Sequence, residues 1–453
     1  MAISKEDNFY KNLTALANDN NSINPAMYQK HNVKRGLRNE NGTGVVVGLT
    51  NVSYVLGYEM ENQEKIPVEG KLFYRGINLN DFVEGFQSQN RRGFEECTYL
   101  LLFGTLPTKN ELQQFNELLD GERNLPASFT ENMILKIPSK DIMNKLQRSI
   151  LVLYSHDENP DDTSITNVLS QCIKLIARFP TIISYGYQAK SHYFDKKSLM
   201  IHSPQNGLGT AENILYMSRS DNKYTPLEAE VLDLSLVIHA EHGGGNNSAF
   251  ATHVISSSGT DTYSAIAAAV GCLKGPKHGG ANIKVREMIE NIKLNVRNIK
   301  DNGQLKDYLW KILKKEVFNK EGLVYGIGHA VYTKSDPRTL LLKKKALELS
   351  IEKDRVDDFN LYKNIEDLSL ELFKELKGED FIICGNVDLY SGFIYELLGI
   401  PTDLYTPLFA AARISGWCAH LIEQQVSDNK IIRPAYINTS PRISYTSLEH
   451  RSS

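Results

Sequence analysis

Apolar residues in this chain recur mostly at the spacing of an α-helix. In LYKNIEDLSLELFKEL, five of them (Leu361, Ile365, Leu368, Leu372 and Leu376) fall on one stripe, the pattern of an amphipathic helix packed against a core. Similar runs fill most of the sequence between Gly and Pro positions that end elements. The pattern therefore predicts an all-α protein.

The front of the chain departs from this periodicity. GTGVVVGLTNVSYVLGYE and KLFYRG are short runs rich in β-branched and aromatic residues, and glycines interrupt them. These runs predict a small hairpin or sheet near the N-terminus.

Two segments rich in Gly and Pro divide the helical part of the chain. They are GPKHGG, which ends at Gly280, and GIP, which ends at Pro401. We predict a large helical domain built from residues 1–277 and 401–453, with residues 278–400 inserted as a smaller helical domain. A block joined to the body at two points can open and close as a unit.

Composition excludes several classes of protein. The 453 residues are 41% hydrophobic and 23% charged with a net charge of -3, so nothing favours nucleic-acid binding. No uncharged apolar run is long enough to cross a membrane, and the N-terminus resembles neither a signal nor a transit peptide. The five widely spaced cysteines are typical of reduced thiols. We expect a cytoplasmic protein that binds neither nucleic acid nor membrane.

The segment IHAEHGGGNNSAF contains two histidines. His239 and His242 are three residues apart, on one side of a predicted helix that ends at Gly243. The pair is a weak metal candidate, because no third ligand follows at a suitable spacing. Alternatively, both rings are hydrogen-bonded in the core, or His242 faces a ligand. From this segment alone, the core interpretation is preferred.

The segment GPKHGGAN predicts a tight turn followed by a helix, with His278 at or just before the helix N-terminus. The positive end of a helix dipole favours a neutral imidazole, which can donate a hydrogen bond to a developing oxyanion. That chemistry suits the formation of an enol. A purely structural turn histidine is an equally good interpretation of this motif alone.

Further downstream, GIGHAVYTKSDPR places His329 on a Gly-flanked turn and Arg338 just after a proline. The glycines allow a large ligand to approach the backbone, and the guanidinium can bind a carboxylate. Gly326 and Gly328 lack the third glycine and the preceding strand of a dinucleotide fingerprint, and no phosphate-binding loop is present.

Three further charged residues stand in apolar surroundings. Asp388 follows the run FIIC, where a carboxylate acts as a base or caps a helix. Arg413 lies in the apolar run FAAARISGWCAHLIE, and Arg433 follows an apolar pair in IIRPAY. Buried arginines usually pair with an anion, either a protein carboxylate or a ligand.

Taken in order, these segments resemble the citrate synthase family, and GIGHAVYTKSDPR is very similar to that family's signature. KLFYRGINLNDFVE, FEECTYLLLFGTLPTKNEL and FPTIISYGY are similar to its non-catalytic body. The resemblance covers approximately residues 40–440. Two departures from the commoner pattern are the triple glycine in EHGGGNNS and Thr333, where a Lys often follows the Tyr.

The resemblance implies a role for each catalytic residue. It assigns His278 to the enolisation of acetyl-CoA, Asp388 to removal of the methyl proton, and His329 to the carbonyl of oxaloacetate. The implied reaction is condensation to citryl-CoA followed by hydrolysis to citrate, with no metal and no tightly bound cofactor. A coenzyme A thioester is the substrate, and oxaloacetate is expected to bind first.

The resemblance also implies the binding residues. His242, Arg338 and Arg413, together with His329, match positions that hold oxaloacetate, and Arg433 matches a position that reaches the partner subunit's site in a homodimer. The segment that receives coenzyme A would comprise Leu323, Val324, Tyr325, Gly326, Ile327 and Gly328.

Three other functions remain open from the sequence. A 2-methylcitrate synthase would share the fold and catalytic residues but use propionyl-CoA. A catalytically silent helical protein would be expected to have lost His278, His329 or Asp388, and all three are present. A metal-dependent lyase lacks a credible ligand set. Assembly beyond a dimer is also left open.

Overall fold

The computed structural model of the protein describes residues 5–62, 64–427 and 430–451. Within these ranges the chain forms seventeen α-helices and one three-stranded sheet, which confirms the all-α prediction. None of the described helices combines the length and apolar character that a membrane crossing needs.

The helices are joined by connections of very different lengths. Their bounds are α1 (Lys5–Asn21), α2 (Ala26–Lys30), α3 (Leu79–Gln87), α4 (Phe94–Phe103), α5 (Lys109–Glu122), α6 (Ile142–Leu153), α7 (Ile165–Tyr193), α8 (Thr210–Ser218), α9 (Pro226–His239), α10 (Asn247–Ser256), α11 (Thr262–Lys274), α12 (Ala281–Asn295), α13 (Asn302–Leu313), α14 (Pro337–Glu352), α15 (Val356–Lys377), α16 (Val387–Leu397) and α17 (Tyr405–Ser427).

The chain divides into two compact units. The first comprises residues 1–47 and 433–453 and contains α1 and α2 among its described residues. The second comprises residues 48–432 and contains the sheet and the other helices. These boundaries do not bear on whether residues 278–400 move as a body inside the second unit, so the inserted domain stays a prediction.

The sheet lies near the front of the chain, as predicted. Strand β1 (Ser53–Glu61) pairs antiparallel with β2 (Glu64–Tyr74), which pairs with β3 (Ile77–Asn78). The predicted β run begins too early, however, because residues 45–52 lie outside any strand and have no strand partner in the described chain. β-branched residues alone therefore do not make a strand there.

The long helix α17 forms the centre of the second unit. It packs against α4, α7, α9, α10 and α11, and Trp417 and Arg413 on it are almost completely buried. A guanidinium in such a position requires compensating polar groups. One of them is the carbonyl oxygen of His239, the last residue of α9.

Candidate active site

The loop after α9 carries His242. The sequence predicted that this helix continues to Gly243, but α9 ends at His239. The Tyr74 hydroxyl oxygen lies 3.0 Å from the Val237 carbonyl oxygen and 3.2 Å from that of Glu241. Tyr74, at the end of β2, thus occupies carbonyl oxygens that a further helical turn would use. His242 therefore lies in the loop and not in the helix.

The two histidines of this segment have different environments. His239 is buried, its Nδ1 lies 2.7 Å from the Ser235 carbonyl oxygen, and burial lowers its pKa to about 3. This contact confirms the core interpretation for His239. His242 differs, because its buried Nε2 has no hydrogen-bond partner among the described residues. Its ring lies 5.2 Å from the ring of His329, so it faces the other candidate residues.

Arg413 presents a second unpaired polar atom. Its Nε donates to the His239 carbonyl oxygen at 2.6 Å, whereas its buried Nη1 has no partner in the described chain. Burial lowers the pKa of Arg413 to about 10, which still leaves the guanidinium charged at neutral pH. An unpaired guanidinium nitrogen near an unpaired imidazole nitrogen is a suitable binding site for an anion.

Arg338 is held by a carboxylate that the sequence reasoning missed. Asp336 caps α14 by accepting from the Arg338 backbone N–H at 3.0 Å, and its side chain also accepts from Arg338 Nε at 3.0 Å and Nη2 at 2.8 Å. Both side chains are buried. The order Asp-Pro-Arg was the available signal, since Pro favours the first helical position and Asp the cap.

The backbone fixes His329 in one tautomer. Its Nδ1 accepts from the N–H groups of Val331 at 3.0 Å and Tyr332 at 3.1 Å. A nitrogen that accepts two hydrogen bonds carries no proton, so in the neutral ring the proton is on Nε2. His329 can therefore donate a hydrogen bond from Nε2 to a substrate carbonyl oxygen.

His278 lies on the turn just before α12, as predicted. Its Nε2 is 3.1 Å from Ser248 Oγ, which accepts from Trp417 Nε1 at 3.0 Å and donates to Asn246 Oδ1 at 2.9 Å. Burial, reinforced by the charge of Arg413, lowers the pKa of His278 to about 4. The ring is thus neutral at pH 7, as the sequence suggested, but burial is the main cause rather than the helix dipole.

Asp388 lies in the first turn of α16. Asn386 is the cap of this helix and accepts from the Asp388 backbone N–H at 3.0 Å, so Asp388 does not serve as the cap. Desolvation raises the pKa of Asp388 to about 6, although Arg338 and Arg413 oppose the rise. The charge of Arg413 acts on both Asp388 and His278, so both side chains lie within electrostatic reach of this guanidinium.

The predicted coenzyme A segment is joined to the start of α16. The Gly328 N–H donates to the Cys384 carbonyl oxygen at 2.8 Å, and the Asn386 N–H donates to that of Gly326 at 2.8 Å. Gly326 has a φ of 86°, and a Cβ there would lie 3.0 Å from atoms of Leu389. The loop is therefore narrow and requires glycine at this position.

Arg433 is the one predicted site residue outside the second unit. It is exposed and lies with residues 433–451 in the first unit. Its assignment to a partner subunit's site stays a prediction.

Comparisons with known proteins all point to one family. The family described as "Citrate synthase, C-terminal domain" matches residues 39–435. The chain is 33% identical to the citrate synthase of Synechocystis sp., covering 95% of this chain and 96% of that protein. It is 31% identical to the 2-methylcitrate synthase of Shewanella oneidensis, over 82% of this chain and 90% of that one.

The fold agrees with this result. A solved structure of the citrate synthase from Thermoplasma acidophilum, in a ternary complex with carboxymethyl coenzyme A and oxaloacetate, superposes with a TM-score of 0.75 at 25% identity. The match covers 92% of this chain and 99% of that chain. The chain therefore belongs to the citrate synthase family of acyltransferases.

Proposed function

We propose that this enzyme condenses acetyl-CoA with oxaloacetate and hydrolyses the resulting citryl-CoA to citrate and coenzyme A. The observation that carries the proposal is the combination of Asp388, a carboxylate whose pKa is raised to about 6, with His278, an imidazole held neutral by burial. A thioester methyl is a very weak acid, so its deprotonation needs a base and a hydrogen-bond donor to the developing oxyanion.

The first step is formation of the enol. Asp388 takes a proton from the methyl group while His278 donates a hydrogen bond to the thioester oxygen. Ser248 Oγ lies 3.1 Å from Nε2 of His278, so the nitrogen assigned to the substrate is Nδ1. Nδ1 of the neutral ring donates when Ser248 turns its hydroxyl proton from Asn246 Oδ1 to Nε2. A neutral donor suits this step, since it stabilises the oxygen without being a strong acid.

Oxaloacetate receives the new carbon–carbon bond. Arg413, Arg338 and His242 bind its carboxylates, and the unpaired atoms Nη1 of Arg413 and Nε2 of His242 supply hydrogen bonds that the protein leaves unused. His329 donates from Nε2 to the keto oxygen as the enol attacks. Water then hydrolyses the thioester of citryl-CoA.

Order of binding follows from charge. Oxaloacetate is a dianion, so it neutralises the charge of Arg413 and brings the binding residues together. It therefore binds first, and closure of residues 278–400 then prepares segment 323–328 to bind coenzyme A. Closure also excludes water until citryl-CoA has formed. Arg433 reaches the site of the second subunit in a homodimer, and the enzyme works in the cytoplasm; both remain predictions.

Propionyl-CoA is the competing acyl substrate. The 31% identical protein from Shewanella oneidensis is a 2-methylcitrate synthase, so the family membership alone leaves this choice open. One methylene group changes discrimination by only about 1–3 kcal/mol, and small changes in the pocket are sufficient to reverse it.

The test is thiol release from acetyl-CoA and from propionyl-CoA, each with oxaloacetate, at equal enzyme concentration and with a strong chelator present. We expect kcat/KM to be higher for acetyl-CoA. A higher value for propionyl-CoA would replace citrate synthesis by methylcitrate synthesis. Silence with both substrates would favour a non-catalytic protein, and loss of activity caused by the chelator alone would favour metal-dependent chemistry.

A further inference from the structure

Two imidazoles and a carboxylate converge beside the loop that follows α9. His253 Nε2, on α10, lies 3.1 Å from His420 Nδ1, on α17. Glu423 Oε2 lies 3.7 Å from His420 Nδ1, and the three atoms are all within 4.8 Å of one another. Glu423 Oε1 accepts from the Asn51 backbone N–H, whereas the buried Oε2 has no hydrogen-bond partner in the described chain.

In each ring the inner nitrogen faces the other histidine, and the outer nitrogen, on the opposite side, faces a hydrogen-bond acceptor. His420 Nε2 lies 3.0 Å from Glu241 Oε1, and His253 Nδ1 lies 3.0 Å from Gln424 Oε1. Carboxylate and amide oxygens accept hydrogen bonds, so the ring protons belong on these outer nitrogens. In neutral rings, the two inner nitrogens then present lone pairs to each other.

Two lone pairs at 3.1 Å repel unless a cation lies between them. Imidazoles whose second nitrogen donates to a carboxylate or carbonyl oxygen are typical metal ligands, because the outer hydrogen bond orients the ring and raises its basicity. Gly244 lies beside the cluster, where a Cβ would be 3.8 Å from His253 Nε2 and 3.5 Å from the His420 ring. The absence of a side chain there allows a water molecule to approach.

We propose that His253, His420 and Glu423 bind one divalent transition-metal ion of the zinc class, with water as a fourth ligand. Two imidazole nitrogens and one carboxylate oxygen form a donor set that suits such ions. The ion would join α10 to α17 and, through Glu241, brace the residue next to His242. The ion would take no part in the chemistry of the condensation, which uses other side chains.

The alternative occupant is a proton shared by the rings. Burial disfavours the charged ring, but the carboxylate of Glu241 outweighs it and raises the pKa of His420 to about 9. Binding of a metal ion must therefore displace a proton, and the experiment has to separate the two occupants.

The test uses the full chain without an affinity tag, stripped with a chelator and then titrated with Co²⁺ and with Zn²⁺. We expect one Co²⁺ per chain, with the visible absorption of four-coordinate Co²⁺, and displacement of Co²⁺ by Zn²⁺. Glu423→Gln keeps the acceptor for Asn51 but removes the charged ligand oxygen. It should weaken Zn²⁺ binding at least roughly tenfold, and so should His253→Gln.

His192→Gln is the matched control, because it removes an imidazole outside the cluster and should leave binding unchanged. Absence of stoichiometric Co²⁺ binding to the unmodified chain would overturn the proposal and leave the shared proton. Binding of unchanged strength in folded Glu423→Gln and His253→Gln would also overturn it. The titration of the unmodified chain decides the question even if one variant does not fold.

Discussion

Two histidines assigned to proton transfer and two side chains assigned to anion binding are held in different ways. His278 and His329 each have one ring nitrogen engaged, by Ser248 and by backbone N–H groups respectively. His242 and Arg413 instead each present a buried nitrogen without a partner. A proton-transfer group needs a fixed orientation, whereas an anion-binding group needs donors that the protein leaves unused.

The largest effect should come from removing the base. Asp388→Asn keeps the size of the side chain but cannot accept the methyl proton, so we expect turnover to fall by roughly 10²–10⁴-fold. Oxaloacetate binding should be nearly unchanged, because the anion-binding residues remain. Turnover and calorimetric binding of oxaloacetate are the measurements.

Asp380→Asn is the control for this variant, since Asp380 is exposed and lies in the segment that precedes α16. It should behave as the unmodified enzyme. If Asp388→Asn retained most of its turnover, Asp388 would not be the base and the division between the two groups would fail.

A smaller effect is expected from changing the anion-binding group. Arg413→Lys preserves the charge but loses the planar donor fork, which costs about 1.5–3 kcal/mol if charged hydrogen bonds to oxaloacetate are lost. Affinity for oxaloacetate should fall roughly tenfold or more, with a smaller change in kcat. Arg286→Lys, which alters an arginine paired with Glu290 on α12, is the control. Equal losses in kcat and affinity would contradict a binding role.

The smallest effect should come from removing the contact that orients His278. Ser248→Ala removes the contact to His278 Nε2, so we expect kcat to fall about tenfold through poorer orientation, with little change in the KM for oxaloacetate. Ser248→Thr retains a hydroxyl and should recover much of the loss. A rise in KM without a fall in kcat would show that Ser248 does not act through His278.

Local pattern predicted the features that local sequence controls. The apolar stripe of α15 is largely confirmed, since Leu361, Ile365 and Leu372 are buried, while Leu376 in the last turn is 45% exposed. The turn before α12 also lies where the Gly and Pro positions indicated. The spacing of apolar residues and the positions of Gly and Pro are properties of neighbouring residues, so they can be recognised before the fold is known.

Features that depend on tertiary contacts were missed. Gly243 suggested the end of α9, but the hydroxyl of Tyr74 ends the helix earlier. Ser248 next to His278 had no sequence signal. His253 and His420 are 167 positions apart, which no metal-ligand spacing rule detects. Each of these contacts exists only after distant segments have packed together.

The join between residues 326–328 and the start of α16 limits how the predicted coenzyme A segment can be redesigned. Asn386 bonds this loop through both its backbone N–H and its side chain, whose Nδ2 donates to the Gly328 carbonyl oxygen at 2.7 Å. An insertion into this loop would also shift Asp388, two residues beyond Asn386. Recognition of coenzyme A is therefore better altered by exchanging side chains than by lengthening the loop.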